Sequence, residues 1–370
     1  MKPGPGRFIS VGLAQPLRAT WIAGSIWAAS AVAVAADLPS APSAAPNCRS
    51  VTPATCLLAR KLGRGINLGG MLEAAIEGDW GLRVEPRFIE AAASRFATVR
   101  LPVRWSNHAA LTADASLDPE FLARVDSIVD ALLKKGVYVI LDFHAYSQLT
   151  GHGLYRNERG VEPEVVQTRF INLWRQLAEH YRTWPKTLLF EVYNEPYGKL
   201  EGPAWNDLLA QVVPAIRESN PDRTMLIGPG VWNAPKALPA LRFPPDPNTI
   251  VTVHTYDPFE FTHQGADWVG RPMATGLTCC DAAQRAKLVA GLDIAKRWSD
   301  SNGYPIHVGE FGSIERAPFE SRVEYTRLAR EEFERRGFSW TYWELASVFG
   351  VFDPATSRWR TPLMEALGLP

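Results

Sequence analysis

Residues 118–144 read DPEFLARVDSIVDALLKKGVYVILDFH, and both halves of an architecture are in them. Asp118 can accept hydrogen bonds from the open N–H groups of a first helical turn, Pro119 suits that turn, and Gly136 supplies the stop. Between them Leu122, Val125, Ile128, Val129, Leu132 and Leu133 recur every three or four positions and fall on one face, which predicts a helix over 118–135. Residues 137–143 follow as a nearly unbroken apolar run, as expected of a strand covered by helices on both sides of its sheet.

The same alternation recurs in both directions. Strands are predicted at 65–68, 98–103, 137–143, 188–193, 224–227, 250–254, 305–309 and 339–343, with further helices at 164–181, 205–218, 282–302 and 320–336. Eight strands alternating with helices is the number a closed parallel barrel needs, so the expected fold is α/β, a (β/α)8 TIM barrel forming a single catalytic domain over residues 61–370. A doubly wound open sheet would want a glycine-rich phosphate turn after its first strand. The GINLGG at 65–70 lacks that spacing, and no acidic ribose partner follows it.

The 39 Lys plus Arg balance the 39 Asp plus Glu, so nothing electrostatic favours nucleic acid or an anionic membrane, and a neutral polymer or small neutral substrate fits better. Lys2, Arg7 and Arg18 precede the apolar run ATWIAGSIWAASAVAVAA at 19–36, the order of a secretory signal, with a retained anchor as the alternative. Residues 1–36 are therefore expected to be a signal peptide and the chain to be secreted, extracellular or periplasmic, with no stable membrane association once the signal is removed. Residues 37–60 are expected to be a proline-rich linker and a disulfide loop closed by Cys48 and Cys56. Adjacent Cys279 and Cys280 allow a vicinal disulfide or two separate fates.

In a parallel barrel the chemistry gathers where the strands end at their C-termini. Those positions hold Arg100, His144, Asn194 and Glu195, His254 and Tyr256, Glu310, and Trp343. Each ends or interrupts an apolar run, where an unpaired charge is costly unless it faces a cleft. Glu195 and Glu310, with no third acid counted at an equivalent place, meet the minimum for acid/base work on a glycosidic bond. Metal-dependent hydrolysis through His144, His254 and a carboxylate is the rival chemistry; no H-x-H follows the first strand, and Arg100 would repel a cation. A serine nucleophile would need a G-x-S-x-G elbow, which is absent.

GINLGG (65–70), VRLPV (99–103), LDFHAY (141–146), YNEP (193–196), HTYDPFEFTHQG (254–265), VGEFG (308–312) and WTYWE (340–344) together resemble glycoside hydrolase family 5, the cellulase family, from about Arg64 to the end of the sequence. The resemblance implies a retaining mechanism with Glu195 as acid/base and Glu310 as nucleophile, and with Arg100, His144, Asn194, His254, Tyr256 and Trp343 binding substrate around them. It implies no cofactor and no metal. Ala145 departs from the family pattern, since many relatives carry a second histidine or another polar group there.

The expected function is a secreted, monomeric endo-β-1,4-glucanase acting on a β-linked polysaccharide or oligosaccharide, cellulose-like or mixed-linkage. The same mechanism on mannan, xyloglucan or β-1,3-glucan, and a catalytically silent carbohydrate-binding barrel, are the alternatives. Glu195 and Glu310 are expected to face each other at about 5 Å. Glu310 is expected to be held ionised by Arg100 and Tyr256, Glu195 to be raised, and Asn194 to bind a sugar 2-hydroxyl. Trp343 should floor the reacting sugar. Trp105, Trp232 and Trp268 are read as further platforms or as packing.

Overall fold

The computed structural model describes residues 44–151 and 158–370; the expected leader at 1–36 and residues 37–43 of the linker lie outside these. Among the described residues, eight parallel strands close into a barrel: β1 (Arg64–Asn67), β2 (Thr98–Val103), β3 (Tyr138–Phe143), β4 (Leu188–Glu191), β5 (Met225–Ile227), β6 (Thr249–His254), β7 (Ile306–Glu310) and β8 (Ser339–Tyr342). Closure is made by β1, which pairs with β2 through Gly65↔Thr98 and with β8 through Gly65↔Thr341. A Cβ on Gly65 would lie 2.5 Å from the Thr341 side chain and 2.8 Å from the Thr98 carbonyl, so the seam admits only glycine.

The helix read from 118–135 runs over Pro119–Lys134, and the Asp118 carboxylate accepts from the N–H groups of Glu120 and Phe121. Val125, Ile128, Val129 and Leu132 are buried against the strands, while Leu122 and Leu133 are partly buried at the edge of the same core. Four other helices lie close to their expected places, at Val166–His180, Pro203–Arg217, Ala282–Asn302 and Phe319–Arg335. A helix over Pro86–Arg95 was not among those expected. Its register is hidden by three consecutive alanines, yet Phe88, Ile89, Ala91 and Ala92 bury one face.

The segment 37–60, expected as linker and disulfide loop, carries a helix from Pro53 that runs to Lys61. Thr52 caps it and Pro53 begins it. Ala59 and the following Leu62 pack with Ile140, Leu189, Leu226 and Ile250, so this helix plugs the barrel at the end where the strands begin. The folded unit therefore starts before residue 61. Cys48 and Cys56 are bonded, and the adjacent pair Cys279–Cys280 takes the vicinal form. Upstream, Asn47 donates to the Ser299 carbonyl, which also accepts from the Gly303 N–H, and Ser50 donates to the Asn302 carbonyl at the C-terminal end of the helix Ala282–Asn302.

Candidate active site

At the opposite end of the barrel the inward side chains turn polar. Arg100 on β2 is wholly buried, and its five N–H donors make five hydrogen bonds. Nε and Nη2 grip the two oxygens of Glu191 at 2.7 and 2.9 Å. Nη1 reaches Asn67 Oδ1 and Glu310 Oε1, both at 2.9 Å, and Nη2 also donates to Asn194 Oδ1 at 2.8 Å. Asp142 Oδ2 stands 3.0 Å from Nη2 as a further ion-pair partner.

Glu310 ends β7, where a local irregularity sets it beside His254. Val253 pairs with Val308, but His254 pairs with Glu310, so Gly309 is the extra residue of a bulge. A Cβ on Gly309 would sit 2.8 Å from His254 Nε2 and 2.7 Å from Thr252 Oγ1, which explains glycine immediately before this carboxylate. The second Glu310 oxygen accepts from Tyr256 Oη at 2.8 Å. Glu195, which follows β4, is held through Oε1 by His254 Nδ1 at 2.7 Å and keeps 22% of its side chain exposed, against 6% for Glu310. One ligand atom each from Glu195, His254 and Glu310 all lie within 4.8 Å of one another. These three groups could hold a cation, but the guanidinium beside Glu310 already supplies the positive charge there.

Burial pushes Glu195 up to about 8; Arg100 opposes that shift and Glu191 adds to it. Glu310 is also raised by burial, while His254 and Arg100 pull it back, so the expectation that Arg100 and Tyr256 hold it ionised is offset by the dryness of the site. His144 and His254 are both driven down to about 4 by burial and are neutral near pH 7. The arrangement thus sets a proton-bearing, partly exposed carboxyl opposite a buried carboxyl anchored by a cation and a phenol.

The other expected residues join this cluster. His144 Nδ1 meets Asp142 Oδ2 at 2.7 Å, and the ring stacks on Trp343 with centroids 5.7 Å apart and planes at 12°. Asn194 spends its amide oxygen on Arg100, leaving Nδ2, 3.5 Å from His144 Nε2, as the donor toward a ligand. Trp105 is fully buried against Phe121 and is packing, not a platform. Trp232 is half exposed, its ring stacked on Tyr197 at 5.1 Å, and its backbone N–H donates to the Pro196 carbonyl next to Glu195. Trp268 is exposed beside His263 and Phe349, on the loop that runs from β6 to Cys279–Cys280.

The expectation of no third acid fails. Asp142 and Glu191 share the buried layer with Arg100, and Glu73 and Glu344 are buried just above it. Asp142 sits inside β3, one residue before its end, and Glu191 closes β4 within the longer apolar run 188–193 that the sequence suggested as a strand. The signal that exposes Asp142 is the two-residue period, which sends it to the same face as His144. Glu344, next to Trp343, is pushed up to about 8 by burial.

The family model described as Cellulase (glycosyl hydrolase family 5) matches residues 64–347. Endoglucanase H of Acetivibrio thermocellus is 35% identical over 297 residues, which cover 80% of this chain and 31% of that protein. The chain thus spans about a third of that relative's length. A solved structure of Cel5A from Thermotoga maritima in complex with cellobiose is 38% identical and superposes with a TM-score of 0.78, covering 84% of this chain and 98% of that one. The same protein's structure with mannotriose gives 0.76 at the same identity, covering 84% and 98%.

Proposed function

The chain belongs to the cellulase family, glycosyl hydrolase family 5, and from that premise we propose that it is an endo-acting β-1,4-glucanase that cleaves cellulose-like or mixed-linkage glucan with retention of configuration. The observation that carries this reading is that a carboxylate oxygen of Glu195 and one of Glu310 lie within 4.8 Å of each other. A retaining pair stands about 5–5.5 Å apart, whereas an inverting pair needs about 6.5–9.5 Å to admit water between the carboxyls.

Glu310 attacks the anomeric carbon and Glu195 gives its proton to the departing glycosidic oxygen. Arg100 and Tyr256 hold the nucleophile's two oxygens apart and aimed. Once Glu310 is esterified its negative charge is gone, so Glu195 binds a proton less tightly and can take one from water in the second step. Nδ2 of Asn194 donates to the 2-hydroxyl of the reacting sugar, a bond that tightens as positive charge develops at the ring. Trp343, braced by His144, is the floor beneath that sugar. Trp232, beyond Glu195, supports the leaving-group sugars. No step calls for a metal or cofactor.

Secretion as a monomer is part of the proposal. The secretion part rests on the charged and apolar pattern of residues 1–36 and on two disulfides, which persist in oxidising compartments. Among the described residues no helix is long and apolar enough to cross a membrane. A second reading keeps the mechanism and changes the polymer to mannan, favoured by the mannotriose bound to a similar structure.

The test is sugar release from carboxymethylcellulose, mixed-linkage glucan, xyloglucan, mannan and β-1,3-glucan by the wild type beside Glu310→Gln. Activity on β-1,4-glucans that the variant loses supports the reading. Preference for mannan moves the substrate, and equal activity of the variant removes Glu310 as the nucleophile.

A further inference from the structure

Arg100 is asked for two incompatible services. It must stay close to Glu310 to favour the ionised nucleophile, yet its charge also acts on Glu195, where it works against the proton that the acid must carry. The surrounding groups show how the conflict is met. On β1 the neutral Asn67 takes one N–H, and on β3 and β4 Asp142 and Glu191 face the guanidinium at 3.0 and 2.7 Å. His144 and His254, from the ends of β3 and β6, and His307 on β7 are all held neutral by burial. Tyr256 follows β6, Glu310 ends β7, and the outlying acids Glu73 and Glu344 follow β1 and β8. Asp142 and Glu191 have fully buried side chains, so neither can touch a substrate.

We propose that Glu191, with Asp142, is a positioning residue that locks the Arg100 fork toward Glu310 and cancels its charge, so that one cation serves the nucleophile without stripping the acid. The inference rests on the assignment of Glu195 and Glu310 above. Glu191 uses a side-on bidentate grip, the geometry that fixes a guanidinium plane most tightly. That grip leaves Nη1 as the edge that reaches Glu310. Asp142 has a second task, since its Oδ2 also fixes the His144 ring against Trp343. Burial pushes Asp142 up to about 7, so its share of the compensation is present only above about that pH.

The experiment is the pH dependence of kcat and kcat/KM, from about pH 4 to 10, for the wild type, Glu191→Gln and Asp142→Asn on a soluble polymer the wild type cleaves, with thermal unfolding recorded for each. Removing the Glu191 charge leaves Arg100 opposed only by Asp142 and Glu310, so more of its positive charge acts on Glu195. The basic limb of kcat/KM is expected to move to lower pH by about one unit, with kcat down about 10- to 100-fold through misplacement of Arg100 and KM little changed. Asp142→Asn should move the same limb in the same direction. A merely structural role would lower stability or kcat and leave the limb where the wild type has it, and that result overturns the proposal. Should Glu191→Gln not fold, Asp142→Asn decides alone, an unmoved limb again being refutation. A wild type inactive on every polymer would instead defeat the functional reading, so the two failures are distinguishable.

Discussion

Replacing Tyr256 by Phe removes one hydrogen bond to Glu310 and little else. The phenol donates to Oε2 at 2.8 Å, while the ring is held edge-on by His263 at 4.8 Å and Phe349 at 6.1 Å, contacts that phenylalanine keeps. A hydrogen bond to an ionised acceptor is worth roughly 1.5–3 kcal/mol, and about 1.36 kcal/mol corresponds to one pH unit. The bond favours the carboxylate, so losing it raises the pH at which Glu310 takes up a proton by about one to two units. Glu310 must be ionised to attack, so activity is lost as pH falls through that value. The acidic limb of kcat/KM should therefore move upward by that amount while the basic limb, set by Glu195, stays near its place. The assay is initial rate on a soluble glucan across about pH 3.5 to 9.5 for both proteins. An acidic limb that moves by less than about 0.3 unit, with activity otherwise reduced, would refute the claim that Tyr256 acts through the charge of Glu310.

Two further outcomes follow from the same geometry. Trp232→Ala removes the half-exposed ring stacked on Tyr197 and should cost about 1 kcal/mol of binding, roughly five-fold in KM, for oligosaccharides long enough to pass Glu195; an equal loss on a short chromogenic cellobioside would contradict a leaving-group platform. Glu344 is raised above its unfolded value to about 8 by burial, so its contribution to stability is full below about pH 4.5 and is lost as pH rises through about 8. Glu344→Gln should flatten the decline of Tm between pH 5 and 9, and calorimetry showing the wild-type decline unchanged would exclude Glu344 as its source.

The barrel was legible because helix and strand patterns alternate without long interruptions, and capping at Asp118 and the stop at Gly136 mark one unit cleanly. What escaped was written in residues whose local signal is weak. The helix from Pro53 to Lys61 lies in a stretch whose small residues and cysteines suggested a loop, and it forms because Ala59 and Leu62 find an apolar floor that only the closed barrel provides. The site residues at strand ends were visible because each breaks an apolar run. Asp142 and Glu191 were not, since a charge in such a run reads as a defect until its partner, here Arg100, is brought in from another strand, and Glu73 and Glu344 were not because they lie in the loops after β1 and β8, where an acid carries no local signal of burial. The rise of Glu310 was hidden for a related reason: the sequence names its partners but not how little water reaches them.

Catalysis through a covalent glycosyl ester on Glu310 is tested most directly by trapping that intermediate. Incubation with a 2-deoxy-2-fluoro β-cellobioside bearing a good leaving group should inactivate the enzyme one-to-one. Peptide mass mapping should then place the fluorosugar on Glu310, with the label accumulating more slowly in Glu195→Gln when the leaving group needs protonation. A label on another residue, or steady turnover of the reagent with inversion at the anomeric carbon and no adduct, would contradict it.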